Sequence, residues 1–217
     1  LFAVIANSRD ESRTYTLLSA DTRSGANPAF KTELTELPQP VVAIASDTTN
    51  TYWAVSGSSL YSGTLGDFQK SNSAPIVSTG SAYGGILHVN PSSLLLSGRE
   101  GTLWLSTDNG ETWADPHEEP TTNNQTVAFT KFVAIGNTIL VGTESFGYYT
   151  VIIDSEELSA TRLSFTTEAL YTASIHQFWI DPESPVEEET IFALTNGSGM
   201  LRTVVEQNEN PEIWQQE

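Results

Sequence analysis

The chain has 217 residues, 38% of them hydrophobic and 10% aromatic, which supplies a sizeable core and excludes a disordered segment. Nine Lys and Arg stand against 27 Asp and Glu, a formal net charge of −18, which excludes the basic footprint of a nucleic-acid binder and disfavours anionic lipid. Cysteine is absent, so disulfides, thiolate metal sites and cysteine nucleophiles are excluded, and no apolar run reaches the roughly 18 residues of a membrane-spanning helix.

In chain order, the sequence begins inside an apolar run, Leu1-Phe2-Ala3-Val4-Ile5-Ala6, too short before Asn7 to be the apolar stretch of a signal peptide. That start reads as a trimmed piece of a longer protein. A strand is predicted next at 14–19, and the segment 30–37 is either a strand borrowed to close the ring or the first unit's own outer strand. From residue 41 onward one arrangement recurs. An apolar run (41–45, 85–89, 129–135, 175–180) is divided by turn residues from a second run. The second runs are Tyr52-Trp53-Ala54-Val55, Leu94-Leu95-Leu96-Ser97, Ile139-Leu140-Val141-Gly142 and Ile191-Phe192-Ala193-Leu194. Each leads into a small-residue turn, and a third strand follows at 59–62, 103–106, 148–153 or 200–205. Strand-favouring residues dominate and no long stretch keeps a helical period, so the class is all-β. Leu1-Phe2-Ala3-Val4 aligns with the second runs, so the first unit lacks its innermost strand. The second runs start about 40 to 50 residues apart, the period of four-stranded propeller blades. The predicted units are 1–37, 38–78, 79–120, 121–168 and 169–217, in a single domain without an internal linker.

The third unit contains Ser106-Thr107-Asp108-Asn109-Gly110-Glu111-Thr112-Trp113, the pattern S-x-D-x-G-x-x-W, directly after the strand Thr102-Leu103-Trp104-Leu105. Such a stretch is a hairpin turn with its own fastenings. Asp108 is suited to accept backbone N–H bonds from one or two residues on, and Gly110 to take a positive φ. Trp113 is predicted to start the return strand and lay its ring on the hairpin. Worn counterparts occur at Ser19-Ala20-Asp21 with Gly25, at Ser62, Gly66 and Phe68, at Asp154-Ser155, and at 206–211 followed by Trp214. These eight residues resemble the Asp-box (BNR) repeat of β-propellers, found in sialidases, sortilin-type receptors and many exported bacterial proteins. The resemblance implies a β-propeller of about five blades with Asp-box hairpins and an incomplete first blade, in a secreted or cell-envelope bacterial protein. It also places this turn on the outer rim, which makes Ser106, Asp108, Gly110 and Trp113 structural rather than catalytic.

Sialidase chemistry, which the resemblance raises, needs an arginine cluster for a carboxylate, a Tyr nucleophile polarised by Glu, and an acid/base Asp. Only Arg99 and Arg9 follow a predicted second strand on the active side, and the Phe-Arg-Ile-Pro segment of that family is missing. Asp47, Glu100, Glu144 and Asp181 lie near predicted turns and read as solvated loop charges. His88, His117 and His176 fall in different units without metal-ligand spacing, and the acidic segment 183–189 lacks a calcium-loop pattern. No G-x-S-x-G, S-x-x-K or Gly-rich phosphate loop occurs.

The expectation is therefore a non-catalytic, monomeric interaction module without metal or cofactor. It would bind a protein or glycan on the face bearing the loops 56–59, 98–101, 143–147 and 196–199. Tyr83, Arg99, Glu144, Phe146 and Trp179 are the candidate contacts, being mostly aromatic or Arg, the residue types that dominate interface energetics. The alternative is a carbohydrate-active enzyme, sialidase-like or another glycoside hydrolase, which requires paired carboxylates and arginines converging at the channel mouth. A third possibility, an assembly-factor propeller like the Asp-box family that helps build photosystem II, implies a basic groove that nine cations do not suggest.

Overall fold

A computed structural model describes residues 1–9, 12–22, 29–118, 127–135, 138–154, 157–162, 174–185, 188–197, 199–206 and 215–216. Their strands form five antiparallel sheets in chain order, each strand pairing with the next. The first sheet has three strands, β1 (Phe2–Arg9), β2 (Ser12–Ser19) and β3 (Lys31–Leu37). The second holds β4 (Val41–Ser46), β5 (Tyr52–Ser56), β6 (Ser59–Thr64) and β7 (Asp67–Lys70), and the third β8 (Tyr83–Asn90), β9 (Ser93–Gly98), β10 (Thr102–Ser106) and β11 (His117–Glu118). The fourth holds β12 (Phe129–Ile135), β13 (Thr138–Thr143), β14 (Tyr148–Asp154) and β15 (Glu157–Arg162). The fifth holds β16 (Ser174–Ile180), β17 (Glu188–Asn196), β18 (Gly199–Glu206) and β19 (Gln215–Gln216).

The second strands explain why the sequence shows unbroken apolar runs instead of alternation. A strand covered on both faces needs apolar side chains at every position. In β9, Leu94 and Leu96 join the core shared with the second sheet, around Trp53, Tyr83 and Trp104. Leu95, pointing the opposite way, joins the core shared with the fourth sheet, around Phe129 and Tyr149. The same division holds in β13, where Ile139 and Val141 face the third sheet and Leu140 packs with Ile175, Phe178 and Ile191 of the fifth. β17 covers only one face: Ile191 and Ala193 are fully buried, whereas Leu194 is 50% exposed.

Successive sheets meet chiefly through their first strands, β4 on β8, β8 on β12 and β12 on β16. The β8–β12 approach is close because Gly84 has no side chain: a Cβ there would lie 1.9 Å from the Phe129 carbonyl oxygen. The first sheet contacts the second between outer strands β3 and β7, and Phe2 sets its ring edge-on to Tyr52 at 5.4 Å. Its three strands thus fill the outer positions of a unit, with β1 at the inner edge.

The β10–β11 turn is fastened as its sequence suggests, with one difference in reach. Ser106 Oγ donates to Asp108 Oδ1 at 2.8 Å and accepts from the Gly110 N–H at 2.8 Å. Asp108 does not bond one or two residues on. Its carboxylate accepts from the N–H of Thr112, four residues on, at 2.8 Å, and from the Thr112 hydroxyl at 2.5 Å. These bonds, led by the Thr112 hydroxyl, hold the Asp108 carboxyl below its ordinary range. Gly110 takes φ 88° and Asn109 φ 60°, left-handed values that a glycine adopts without penalty and an asparagine tolerates. Trp113 does not start a strand. It packs half-buried against the core between the second and third sheets, Ala114 N–H continues the ladder to Leu105 O at 2.8 Å, and the outer strand is only His117–Glu118. Among the weaker turn candidates, Gly25, Ser155 and Trp214 lie outside the described residues.

Candidate functional site

Four sheets and three turns converge on one hollow. The β9–β10 turn brings Arg99, the β13–β14 turn brings Glu144 and Ser145, and the end of β17 brings Asn196. Below them the first strands supply Lys131 from β12 and His176 from β16, and the hollow encloses about 440 Å³. The turns hold their shape by backbone bonds to the strands beneath, Arg99 N–H to Ala82 O at 2.9 Å and Glu144 N–H to Ala128 O at 3.0 Å.

Lys131 is the anchor of this arrangement. Its stem starts on the fourth sheet and its Nζ donates to the Val42 carbonyl on the second sheet at 2.9 Å. Burial, reinforced by the Arg99 charge, lowers its pKa from the ordinary lysine value. Arg99 meets Glu144 at 3.7 Å, but both side chains are about half exposed, at 53% and 49%. A pair in that setting contributes little and is readily exchanged for another partner.

Two of the five candidate contacts, Arg99 and Glu144, therefore line the hollow. Phe146 shares the Glu144 turn but lies against the core between the third and fourth sheets, its N–H donating to Thr143 Oγ1 at 2.8 Å. Trp179 is 53% exposed and stacks on Phe192 at 5.2 Å, apart from the residues of the hollow. Tyr83 is a correction. It is 1% exposed, sits edge-on to Trp104 at 6.1 Å and donates its hydroxyl to the Pro75 carbonyl, so it is core and offers no surface to a ligand.

Burial pushes the Tyr83 phenol from 10.0 to about 12. The fold favours the neutral phenol, so its contribution is complete below pH 10.0 and is lost as the pH rises towards about 12. Tyr83→Phe should remove that segment of base sensitivity from denaturation profiles. An ultraviolet titration of the folded chain should lose a tyrosine that ionises at about 12; an unchanged high-pH segment would place the phenol in solvent.

No family model matches the chain, and no curated protein matches it in sequence. Solved structures do match in fold. The extracellular domain of BT4673, a hybrid two-component system of B. thetaiotaomicron, superposes with TM-score 0.64 at 12% identity, over 98% of this chain and 27% of that one. YCF48 bound to a D1 peptide gives TM-score 0.61 at 14% identity, over 91% and 60%. The β-propeller domain of Cps50 (Swd1) from Myceliophteria thermophila gives 0.60 at 13%, over 93% and 68%. The fold is a β-propeller. The chain spans less than two thirds of the length of the first two structures.

In propeller terms, β4, β8, β12 and β16 are the inner strands, and the hollow lies where they meet the turns of one face. His176 lines it, whereas His88, also on an inner strand, is stacked flat on Trp53 with centroids 5.6 Å apart. Lys131 escaped sequence reading because it sits inside the apolar run Phe129–Ile135. A lone cation in a largely apolar inner strand, in a chain with only three lysines, was the available signal. Among the described residues, no group of three His, Asp or Glu side chains is placed to hold a metal ion, and no helix is long and apolar enough to cross a membrane.

Proposed function

We propose that this propeller is a non-catalytic interaction module of an exported or cell-surface protein, binding a protein or glycan on the face that carries the Arg99 and Glu144 turns. The observation that supports it is the hollow itself. Polar groups from three blades converge there on a space of about 440 Å³, a size suited to a bound side chain or small group, around two cations in a chain of net charge −18. The likeness to an extracellular domain and to a propeller solved with a peptide accords with such a role. Glycoside hydrolysis requires two carboxyl groups flanking the scissile bond. Among the described residues, Glu144 is the one carboxylate lining the hollow, and Arg99 already engages it.

Immobilised protein exposed to peptide and glycan arrays should retain ligands whose binding weakens in Arg99→Glu. Sialosides and aryl glycosides should be hydrolysed no faster than in buffer. Turnover abolished by Glu144→Gln would replace the binding reading with the enzymatic one.

A further inference from the structure

Each inner strand of this propeller is the edge of its sheet, so one side of its backbone has no ladder partner. Two side chains tie these edges together across the centre: Lys131 reaches Val42 O, and Thr130 Oγ1 donates to Ile175 O at 2.9 Å. A second hollow of about 250 Å³ shares Val42, Thr130 and Lys131 with the first and continues along the inner strands past Gly85 to Gln177. Together the two form a track whose walls carry strand-edge backbone and whose mouth carries Arg99.

We propose that this track receives an extended peptide, with a carboxylate of that peptide held between Lys131 and Arg99. This rests on the reading of the face as the binding surface and adds the chemistry of the ligand. A half-buried ammonium with one acceptor among the described residues has two further N–H donors to satisfy. Crowding by Arg99 is unfavourable for it until an anion enters. Glu144, 3.7 Å from Arg99, already shows a carboxylate paired with one of these two cations, in a pair exposed enough to yield to a better-placed one. A doubly charged phosphate would meet stronger repulsion from a chain of net charge −18 than a single carboxylate does. The strand edges favour a peptide over a sugar, because main-chain N–H and C=O groups match those of an extended backbone.

The test uses the full 217-residue chain, labelled with ¹⁵N, and two probes. One is the peptide acetyl-Ala-Ala-Val-Glu amide, with a single carboxylate; the other is acetyl-Ala-Ala-Val-Gln amide. The acidic probe should shift the amide signals of Gly84, Thr130 and Lys131 and bind about tenfold more tightly than the neutral one, as charge-assisted hydrogen bonds require. Arg99→Gln and Lys131→Gln should each remove most of that preference. Should Lys131→Gln fail to fold, Arg99→Gln alone decides, since its side chain is 53% exposed. Equal binding of the two probes in the hollow would overturn the carboxylate assignment and leave the binding face standing. Shifts absent for both probes, or confined to other surfaces, would overturn both. A preference that survives Arg99→Gln would overturn the assignment as well.

Discussion

Trp53→Ala should lower the stability of this propeller by about 4 kcal/mol, within the range for removing a buried aromatic side chain. Trp53 is 2% exposed and belongs to the core between the second and third sheets. Its indole N–H donates to the Asn109 carbonyl at 3.3 Å, and its ring covers His88 at an interplanar angle of 10°. One side chain of the second blade thus grips the Ser106–Trp113 turn of the third. Ser73 Oγ, donating to Gly110 O at 2.6 Å, is a second grip on the same turn. Truncation would leave a cavity, an unpaired Asn109 carbonyl and an opened face beside His88, whose Nε2 is buried without a hydrogen-bond partner among the described residues. Trp53→Phe should recover most of the loss, leaving about 1 kcal/mol for the missing N–H bond. Urea denaturation measures both, with the slope unchanged if only the folded state is affected. A drop under about 1 kcal/mol for the alanine variant would mean that the turn is held without this contact.

Gly84→Ala should be comparably damaging, for the opposite reason. The added Cβ would fall 1.9 Å from Phe129 O and 3.1 Å from Ser97 Oγ, and the first of these is backbone that no rotamer change can move. Relief requires β8 and β12 to separate, which disturbs the core between the third and fourth blades and the wall of the ligand track. Overpacking of this kind costs about 3 kcal/mol. Gly66→Ala makes a useful contrast. Nothing lies within 4 Å of the added atom, so only the φ of 88° is penalised, by about 1 kcal/mol. Melting temperatures should therefore fall much further for Gly84→Ala than for Gly66→Ala. Equal falls would show that β8 and β12 have slack between them.

Sequence alone determined the architecture to a large extent, because its determinants are local. Apolar runs such as Leu94-Leu95-Leu96 mark strands sandwiched between two neighbours, and Ser106, Asp108 and Gly110 build their turn from bonds that span only a few residues. The three-stranded first sheet was legible in the same way, from the phase of Leu1-Phe2-Ala3-Val4 against the later second runs. The reach of Asp108 to Thr112 was not, since it depends on how the chain curls after Gly110. The site belongs to the tertiary structure. Tyr83 was a candidate contact because aromatics dominate interface energetics, yet the packing of the second sheet on the third places it in the core. Arg99, Lys131 and His176 are brought together by the angle at which successive blades turn about a common centre. That angle is set by inter-sheet contacts such as Gly84 on Phe129, between residues far apart in sequence. No local pattern carries it, because the energy that favours it is shared among side chains from three different repeats.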